Sequence, residues 1–167
     1  MKFVLIDRIS ELESGKRIVA CKALTLAEEY LGDHFPAFPV LPGVLQLEAM
    51  VQASAWVVRE ALDFAPSIVM LKEARNITYK SFLAPGQTLT IESKCNELTA
   101  EQSIFAASGS VDGKEIVKGK LTLRHFNLAE SNPHLTDRDE IIRAHLRTLF
   151  DLVWVKRPGG ARNNNKL

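Results

Sequence analysis

Two short segments near the start of the chain have the residue pattern of strands, and in the second of them hydrophobic and polar residues alternate in part. The first is KFVLIDRI at 2–9 and the second is KRIVACKALT at 16–25, with the polar stretch SELESG between them. A period of two is typical of β-strands that turn one face toward a core. We therefore predict two strands here, followed by a loop.

At Pro42 the pattern changes to that of a helix, since the missing N–H of proline suits a first turn. No breaker occurs from Val44 to Val58, and apolar residues there surround the predicted helix instead of forming one stripe. This arrangement is typical of a buried helix. Four small residues indicate that other elements pack closely against it: Ala49, Ala53, Ser54 and Ala55. We expect the helix to end between Asp63 and Pro66.

Residues 67–125 return to the strand pattern. Four segments carry it: SIVMLKEARNITYKSF, TLTIESKCNEL, SIFAASGSV and EIVKGKLTLRHF. Turn residues separate them at Pro85-Gly86, at 99–101 and at Asp112-Gly113, and the last of these is a good hairpin signal. Two strands, one buried helix and four further strands predict an α+β fold, in which a strongly curved antiparallel sheet wraps the helix.

A second helix is predicted at 134–155. Thr136 can cap it, and acidic residues follow in the first turn, where they favour the helix dipole: Asp137, Asp139 and Glu140. Apolar residues then recur at three- and four-residue spacing: Ile142, Leu146, Leu149, Phe150 and Val153. This amphipathic helix is expected to lie on the domain or on a partner chain. We predict a domain at 1–128, this helical extension at 129–155 and a flexible tail at 156–167.

The bulk composition is that of one globular domain. Of the 167 residues, 46% are hydrophobic and 25% are charged, and the net charge of +1 gives no reason to expect broad binding to nucleic acids or membrane surfaces. No apolar run is long enough for a bilayer span or a signal-peptide core. Cys21 and Cys95 fit no metal-ligand spacing and are expected to be reduced thiols. A cytoplasmic protein is the simplest interpretation.

Candidate chemistry lies in HFPAFPVLPG at 34–43 and in the helix that follows. Glu48 occurs in the most apolar helix of the chain, where a buried carboxylate is costly unless it is paired or used. Together with His34 it suits general acid–base chemistry near neutral pH. The structural alternatives are that Glu48 reaches solvent or bonds to Gln52 one turn on, and that His34 is a structural or exposed loop residue.

The start of the predicted helix offers a third element. The N–H groups near Gly43 and Val44 lack intrahelical partners and lie at the positive end of the dipole. Because Gly43 has no side chain, a substrate carbonyl oxygen could approach its N–H, which would stabilise developing negative charge. The alternative is that Pro42-Gly43 only shapes the turn into the helix.

Three prolines, at 36, 39 and 42, favour an extended path that would hold His34 up to roughly 25 Å from the helix start. On such a path His34 would be poorly placed to reach Glu48 of its own chain. A two-fold dimer could instead bring His34 of one subunit to Glu48 of the other. We hypothesise this arrangement.

The segment from His34 to Gln52 reads H-F-P-x-x-P-x-x-P-G-V-L-x-x-E-A-M-x-Q. It resembles the signature of the hot-dog-fold 3-hydroxyacyl-[acyl-carrier-protein] dehydratases of fatty acid synthesis, and the resemblance extends over about residues 3–126. It implies a curved sheet around a central helix and two paired units. It also implies a tunnel for the acyl chain, with the His and the acid coming from opposite subunits.

The resemblance also implies roles for individual residues. His34 would abstract the α-proton of a 3-hydroxyacyl thioester, Glu48 would protonate the departing hydroxyl, and the Gly43 N–H would polarise the thioester carbonyl. Phe35, Val44 and Gln52 would contact the substrate. Because a sister group that also isomerises the double bond carries Asp at the position of Glu48, this chain resembles the plain dehydratase.

No metal or organic cofactor is implied by the resemblance, and the implied partner is an acyl carrier protein. A homodimer or a trimer of dimers is expected, without nucleic acid or membrane. The family's basic docking stretch is represented only by Tyr79-Lys80-Ser81-Phe82, so Lys72, Arg75 and Lys80 are the candidates for carrier docking.

The motif departs from the family at two positions, since Asp33 precedes His34 and Ala37 follows Pro36. Asp33, if close, would raise the pKa of His34. Three alternatives therefore stay open: a hot-dog thioesterase, a dehydratase for a specialised lipid or polyketide, and a non-catalytic subunit that binds acyl carrier protein.

Overall fold

The structure, a computed structural model, describes residues 3–154. Its helices and strands follow in the order β1 (Arg8–Glu13), β2 (Arg17–Ala23), α1 (Gly43–Ala61), β3 (Ile68–Tyr79), β4 (Thr88–Leu98), β5 (Gln102–Val111), β6 (Lys114–Phe126) and α2 (Thr136–Val153). Short 3₁₀ turns occur at Glu29–Leu31, Leu128–Glu130 and Pro133–Leu135. This order confirms the predicted α+β class, with six strands and two helices in the described part of the chain.

The six strands form one antiparallel sheet in the order β1-β2-β4-β5-β6-β3. Strands β1 and β3 are therefore its two edges. The hairpin between β5 and β6 turns at Asp112 and Gly113, whose φ angles are 49° and 77°. Two successive positive φ angles are those of a type I′ turn, so the hairpin predicted at these residues is confirmed.

The first strand lies later than predicted. Strand character was expected at 2–9, but β1 begins at Arg8 and takes in most of the polar stretch SELESG. Leu5 and Ile6 are fully buried, and the Leu5 N–H is bound by the side chain of Gln52 in α1. The apolar run therefore packs against α1 and does not join the sheet. Residue 2 lies outside the described residues.

Helix α1 lies across the inner face of the sheet and contacts strands β2 to β6. Its small residues Ala49, Ala53 and Ser54 have no exposed surface, which confirms the close packing expected from their size. The Ser54 hydroxyl lies 2.7 Å from that of Ser93 in β4, so the one polar side chain among them is paired. The first turn of α1 is not enclosed, since Val44 is 70% exposed.

Helix α2 packs against the corner that follows α1. Phe150 places its ring 5.6 Å from those of Trp56 and Phe64, and Arg147 bonds to Asp63. The predicted apolar face is thus directed at this chain's own domain. Thr136 does not cap the helix, because it is the first helical residue and its hydroxyl donates to the Pro133 carbonyl. The predicted tail at 156–167 lies outside the described residues.

Cys21 and Cys95 lie in β2 and β4 as free, partly exposed thiols. In the described part of the chain, no helix is long and apolar enough to cross a membrane.

Candidate active site

The N-terminus of α1 presents unpaired backbone donors. Pro42 precedes the helix in an extended conformation, and its carbonyl accepts from the N–H groups of Leu45 and Gln46 at 2.9 and 3.1 Å. Within residues 3–154, the N–H groups of Gly43 and Val44 have no hydrogen-bond acceptor. These donors lie at the positive end of the helix dipole, where an oxygen that gains negative charge is stabilised.

The ring of Tyr79 in β3 explains why position 43 is a glycine. A Cβ atom at position 43 would lie 3.2 Å from a carbon of the Tyr79 ring, which is tighter than an ordinary contact. Gly43 therefore allows the Tyr79 ring to pack against the helix start. Sequence reasoning expected the free space to serve an approaching substrate, but in this structure the tyrosine ring lies beside it.

Glu48 is half-buried and hydrogen-bonded, and the structural alternative of a bond to Gln52 is confirmed. Its Oε1 accepts from Nε2 of Gln52, one turn later, at 2.9 Å. Within the described residues, Oε2 has no hydrogen-bond partner. One carboxylate oxygen is thus fixed by the helix itself and the other is left for a ligand or water.

Both N–H groups of the Gln52 amide are engaged. One donates to Glu48 and the other to the Phe3 carbonyl at 3.0 Å, while Oε1 accepts from the Leu5 N–H at 2.9 Å. Sequence reasoning placed Gln52 among the substrate contacts. In the structure this amide joins Glu48 to the N-terminal segment through both of its N–H groups and its oxygen. Its contact with a substrate stays a prediction.

The loop that carries His34 turns back on itself. Phe35 has a φ of +50°, and the Phe38 N–H donates to its carbonyl at 2.7 Å, which closes a β-turn over Pro36 and Ala37. The extended polyproline path predicted from the proline spacing is therefore wrong. The separation of roughly 25 Å inferred from that path no longer supports placing His34 away from its own Glu48.

His34 is half-buried and packs beside Phe35, with 4.4 Å between the ring centroids and 54° between the ring planes. Over residues 3–154, the imidazole makes no hydrogen bond, and no ion pair joins it to Asp33. No hydrogen bond connects His34 with Glu48 in this part of the chain either. Both imidazole nitrogens therefore remain open to a partner from outside the chain.

Large apolar side chains are exposed around this loop and the helix start. Each is at least 46% accessible, and we call them the apolar patch: Phe35, Phe38, Val44, Tyr79 and Phe82. Phe38 and Phe82 meet edge-to-face at 5.6 Å, and the Leu41 N–H donates to the Leu83 carbonyl. These contacts join the His34 loop to the segment after β3. Exposed clusters of this kind mark interaction surfaces.

The predicted docking residues all lie on β3 or just after it, and all are exposed. Arg75 pairs with Glu73 at 2.8 Å and Lys80 with Glu115 at 2.5 Å, while Lys72 donates to Gln102. The hydrogen bond from Lys80 lowers the pKa of Glu115 below its ordinary value. Two of the three cations are thus already compensated by acids.

Arg59 is a neighbour of the site that sequence reasoning missed. It lies eleven residues after Glu48, which brings both to nearly the same helix face. Burial lowers the pKa of Arg59 to about 10, and the charge of Glu48 partly opposes this shift. Its guanidinium lies 5.2 Å from the centre of the Trp56 ring. The spacing 48, 52, 59 was the available signal, since all three positions share a face.

Acid–base groups dominate the site. In the described residues, no group of three or more His, Cys, Asp and Glu side chains is placed to hold a metal ion. One carboxylate with a free oxygen, two backbone donors and an unpaired imidazole can together move protons and polarise a carbonyl.

Comparison with known proteins adds a family assignment. Residues 1–120 match the family model described as FabA-like domain. A 3-hydroxyacyl-[acyl-carrier-protein] dehydratase FabZ from Herpetosiphon aurantiacus is 34% identical over 119 residues, which cover 71% of this chain and 84% of the relative. The FabZ of Variovorax paradoxus is 38% identical over 117 residues, covering 68% and 77%.

Two solved structures show the same fold. The dehydratase heterocomplex ApeI:P from Xenorhabdus doucetiae matches with a TM-score of 0.64 at 20% identity, over 80% of this chain and 90% of that chain. A Streptococcus mutans protein bound to acetyl-CoA matches with a TM-score of 0.59 at 14% identity, over 76% and 94%. These likenesses confirm the predicted hot-dog fold.

Proposed function

This chain belongs to the FabA-like family of 3-hydroxyacyl-[acyl-carrier-protein] dehydratases, and we propose that it converts 3-hydroxyacyl thioesters to trans-2-enoyl thioesters in fatty acid synthesis. The observation that carries the proposal is the arrangement at the start of α1. Unpaired N–H groups at Gly43 and Val44 lie on the same helix as the free oxygen of Glu48. Gly43 and Glu48 are only about 7.5 Å apart along the helix axis.

In this mechanism His34 is the base and Glu48 is the acid. His34 takes the proton from C2, a C2–C3 double bond forms, and the C3–O bond breaks as Glu48 gives its proton to the leaving hydroxyl, so water departs. The Gly43 N–H stabilises the negative charge that grows on the thioester oxygen once the C2 proton leaves. The proton then passes from His34 back to Glu48 through solvent.

We further propose that two subunits complete each site. The β3 edge is open over twelve residues, and the apolar patch lies next to its end. An open edge beside exposed aromatic side chains favours pairing with a second copy. His34 of one subunit would then meet Glu48 of the other, where its unpaired imidazole finds the substrate.

The substrate carrier is proposed to be an acyl carrier protein, and the location the cytoplasm. Lys72, Arg75 and Lys80 stay candidates for docking the acidic carrier. Lys72 is the one of the three that no carboxylate pairs within residues 3–154. We propose that residues 1–128 form the catalytic domain, in keeping with the match of the family model to residues 1–120.

The proposal is tested by the reverse reaction. The enzyme adds water across the double bond of a 2-enoyl thioester on acyl carrier protein, and the absorbance of the enoyl thioester falls. We expect His34→Ala and Glu48→Gln each to lower kcat by about 10²–10⁴-fold, the contribution of a general acid or base. His145→Ala and Glu140→Gln are matched controls, because both residues are exposed on α2.

Three results would contradict the proposal. They are full turnover by His34→Ala, release of free thiol without formation of the 3-hydroxyacyl thioester, and carrier binding without turnover. The second would indicate a thioesterase and the third a non-catalytic binding subunit.

A further inference from the structure

The N-terminal segment Phe3–Leu5, which we call the strap, is bound to α1 beside Glu48. It belongs to neither the sheet nor a helix. Two main-chain groups of the strap, the Phe3 carbonyl and the Leu5 N–H, bond to the Gln52 amide at 3.0 and 2.9 Å. The same amide donates to Glu48 Oε1 at 2.9 Å. The strap and the acid are thus connected through one side chain.

The donors and acceptors of the strap fix the orientation of the Gln52 amide. An amide that rotated by half a turn would direct its oxygen at the Glu48 carboxylate and lose that bond. The strap prevents this, because the Leu5 N–H requires the amide oxygen and the Phe3 carbonyl requires an amide N–H. Main-chain groups that cannot exchange donor for acceptor therefore fix which end of Gln52 faces Glu48.

The strap itself is held mainly at one end. Leu5 is fully buried, whereas Phe3 and Val4 are 47% and 42% exposed, and the segment borders a cavity of about 450 Å³ together with Glu28 and Tyr30. The Phe3 ring lies 6.1 Å from that of Tyr30. With few contacts on its outer side, the strap depends on Gln52 as much as Gln52 depends on it.

We propose that the strap is a positioning element for the catalytic acid, acting on Glu48 through Gln52. This rests on the proposed function, in which Glu48 gives its proton to the 3-hydroxyl. Gln52 and the strap keep Glu48 Oε1 in place while Oε2 faces the substrate. A misplacement of about 1 Å at a catalytic group can cost about 10²-fold in rate, so loss of the orientation should act on kcat.

Gln52→Met removes the amide at nearly constant length. We expect kcat to fall about 10–100-fold while KM changes less than about threefold. A chain that lacks residues 1–4 loses the Phe3 carbonyl but keeps Leu5, which still bonds to the amide oxygen, so a smaller misplacement should lower kcat by about fivefold. A chain that lacks only residues 1 and 2 keeps that carbonyl and is the matched control, with wild-type rates expected.

The double variant separates positioning from a general loss of structure. If the strap acts through Gln52, deletion of residues 1–4 in the Gln52→Met background should change kcat no further, because coupled residues are not additive. Independent effects that multiply would overturn the proposal. So would wild-type kcat in either single variant, provided that the wild-type protein is active.

A pH profile gives a second readout. Gln52→Glu places a carboxyl group beside Glu48, and two such groups hold a shared proton to higher pH. In the plot of kcat against pH, the limb that reports loss of the Glu48 proton should shift to higher pH by about one unit or more. An unmoved limb in an active variant would show that residue 52 does not contact the working acid. Absence of dehydratase activity in the wild-type protein would instead refute the proposed function.

Discussion

In the described structure, the carboxylate of Asp139 accepts more hydrogen bonds than that of any other acidic residue. Only 1% of it is exposed, and it accepts from the Ser67 hydroxyl and from the N–H groups of Leu128 and Ala129, the latter two at 2.9 Å. The sequence predicted Asp139 as an acid in the first turn of α2, and the structure confirms that position. In addition, Asp139 ties α2 to the 3₁₀ turn after β6 and to the residue before β3.

Asp139→Ala should lower the free energy of unfolding by about 2–3 kcal/mol, because one buried and two part-buried donors lose their acceptor. Urea unfolding at one fixed protein concentration measures the change, since an oligomer's stability depends on concentration. Asp137→Ala, on the exposed side of the same first turn, is the control and should stay within about 0.5 kcal/mol of wild type.

The contribution of Asp139 should also depend on pH. Burial alone would raise the pKa of Asp139. The hydrogen bonds from Ser67, Ala129 and Leu128, with the charge of Arg143, outweigh burial and lower it below the ordinary value. A lowered folded pKa stabilises the protein above the unfolded value of about 3.9, and this stabilisation is lost as pH falls further. The stability difference between wild type and Asp139→Asn should therefore shrink below about pH 4, and a constant difference from pH 7 to 3 would contradict this.

Part of the candidate site could be predicted from the types of its residues alone. His34 and Glu48 could be proposed because proton transfer needs such side chains and their motif is specific. The turn at Phe35 could not, since a positive φ at a non-glycine residue has no reliable signal in the sequence. Nor could the strap, because main-chain contacts between residues 3–5 and Gln52 depend on tertiary packing.

At the scale of elements, α2 stabilises the corner that ends α1. Asp63 and Phe64 there have φ angles of 49° and 58°, in the left-handed region that non-glycine residues rarely adopt. Arg147 binds the carbonyl of Asp63 at 2.6 Å and places its guanidinium over the Phe64 ring. The helix thus supports a strained corner of the domain that carries Glu48.

Phe150→Ala should lower the free energy of unfolding by about 2–3 kcal/mol, less than for a fully buried ring, since Phe150 is half-buried between Trp56 and Phe64. Ile141→Ala on the outer face of α2 is the control, because Ile141 is 66% exposed. Equal losses for the two variants, again in urea, would show that α2 does not pack as described.

The elements were predicted well where periodicity was strong and poorly where packing decided. The helix at Gly43–Ala61 and the four strands from Ile68 to Phe126 follow their patterns closely. The first strand was misplaced because FVLI at 3–6 is as apolar as a strand, yet it is used to cover α1. A polar run can form an edge strand, since one face of β1 meets only solvent.

At the scale of the whole molecule, the open β3 edge and the apolar patch are adjacent, and His34 lies among the residues of the patch. The prediction of a shared site first rested on an extended path for HFPAFPVLPG, which the turn at Phe35–Phe38 overturns. It now rests on the unpaired sheet edge, the exposed aromatic side chains and an imidazole without a partner in the described residues. These properties belong to the folded surface, so sequence patterns could not supply them.

The most direct test mixes two inactive variants, His34→Ala and Glu48→Gln, under conditions that let subunits exchange, and measures hydration of an enoyl thioester on acyl carrier protein. If each site takes His34 from one subunit and Glu48 from the other, every mixed dimer holds one intact site. An equal mixture should then regain about a quarter of the wild-type rate. No recovery after proven exchange would contradict the shared site, and an inactive wild-type protein would contradict the dehydratase itself.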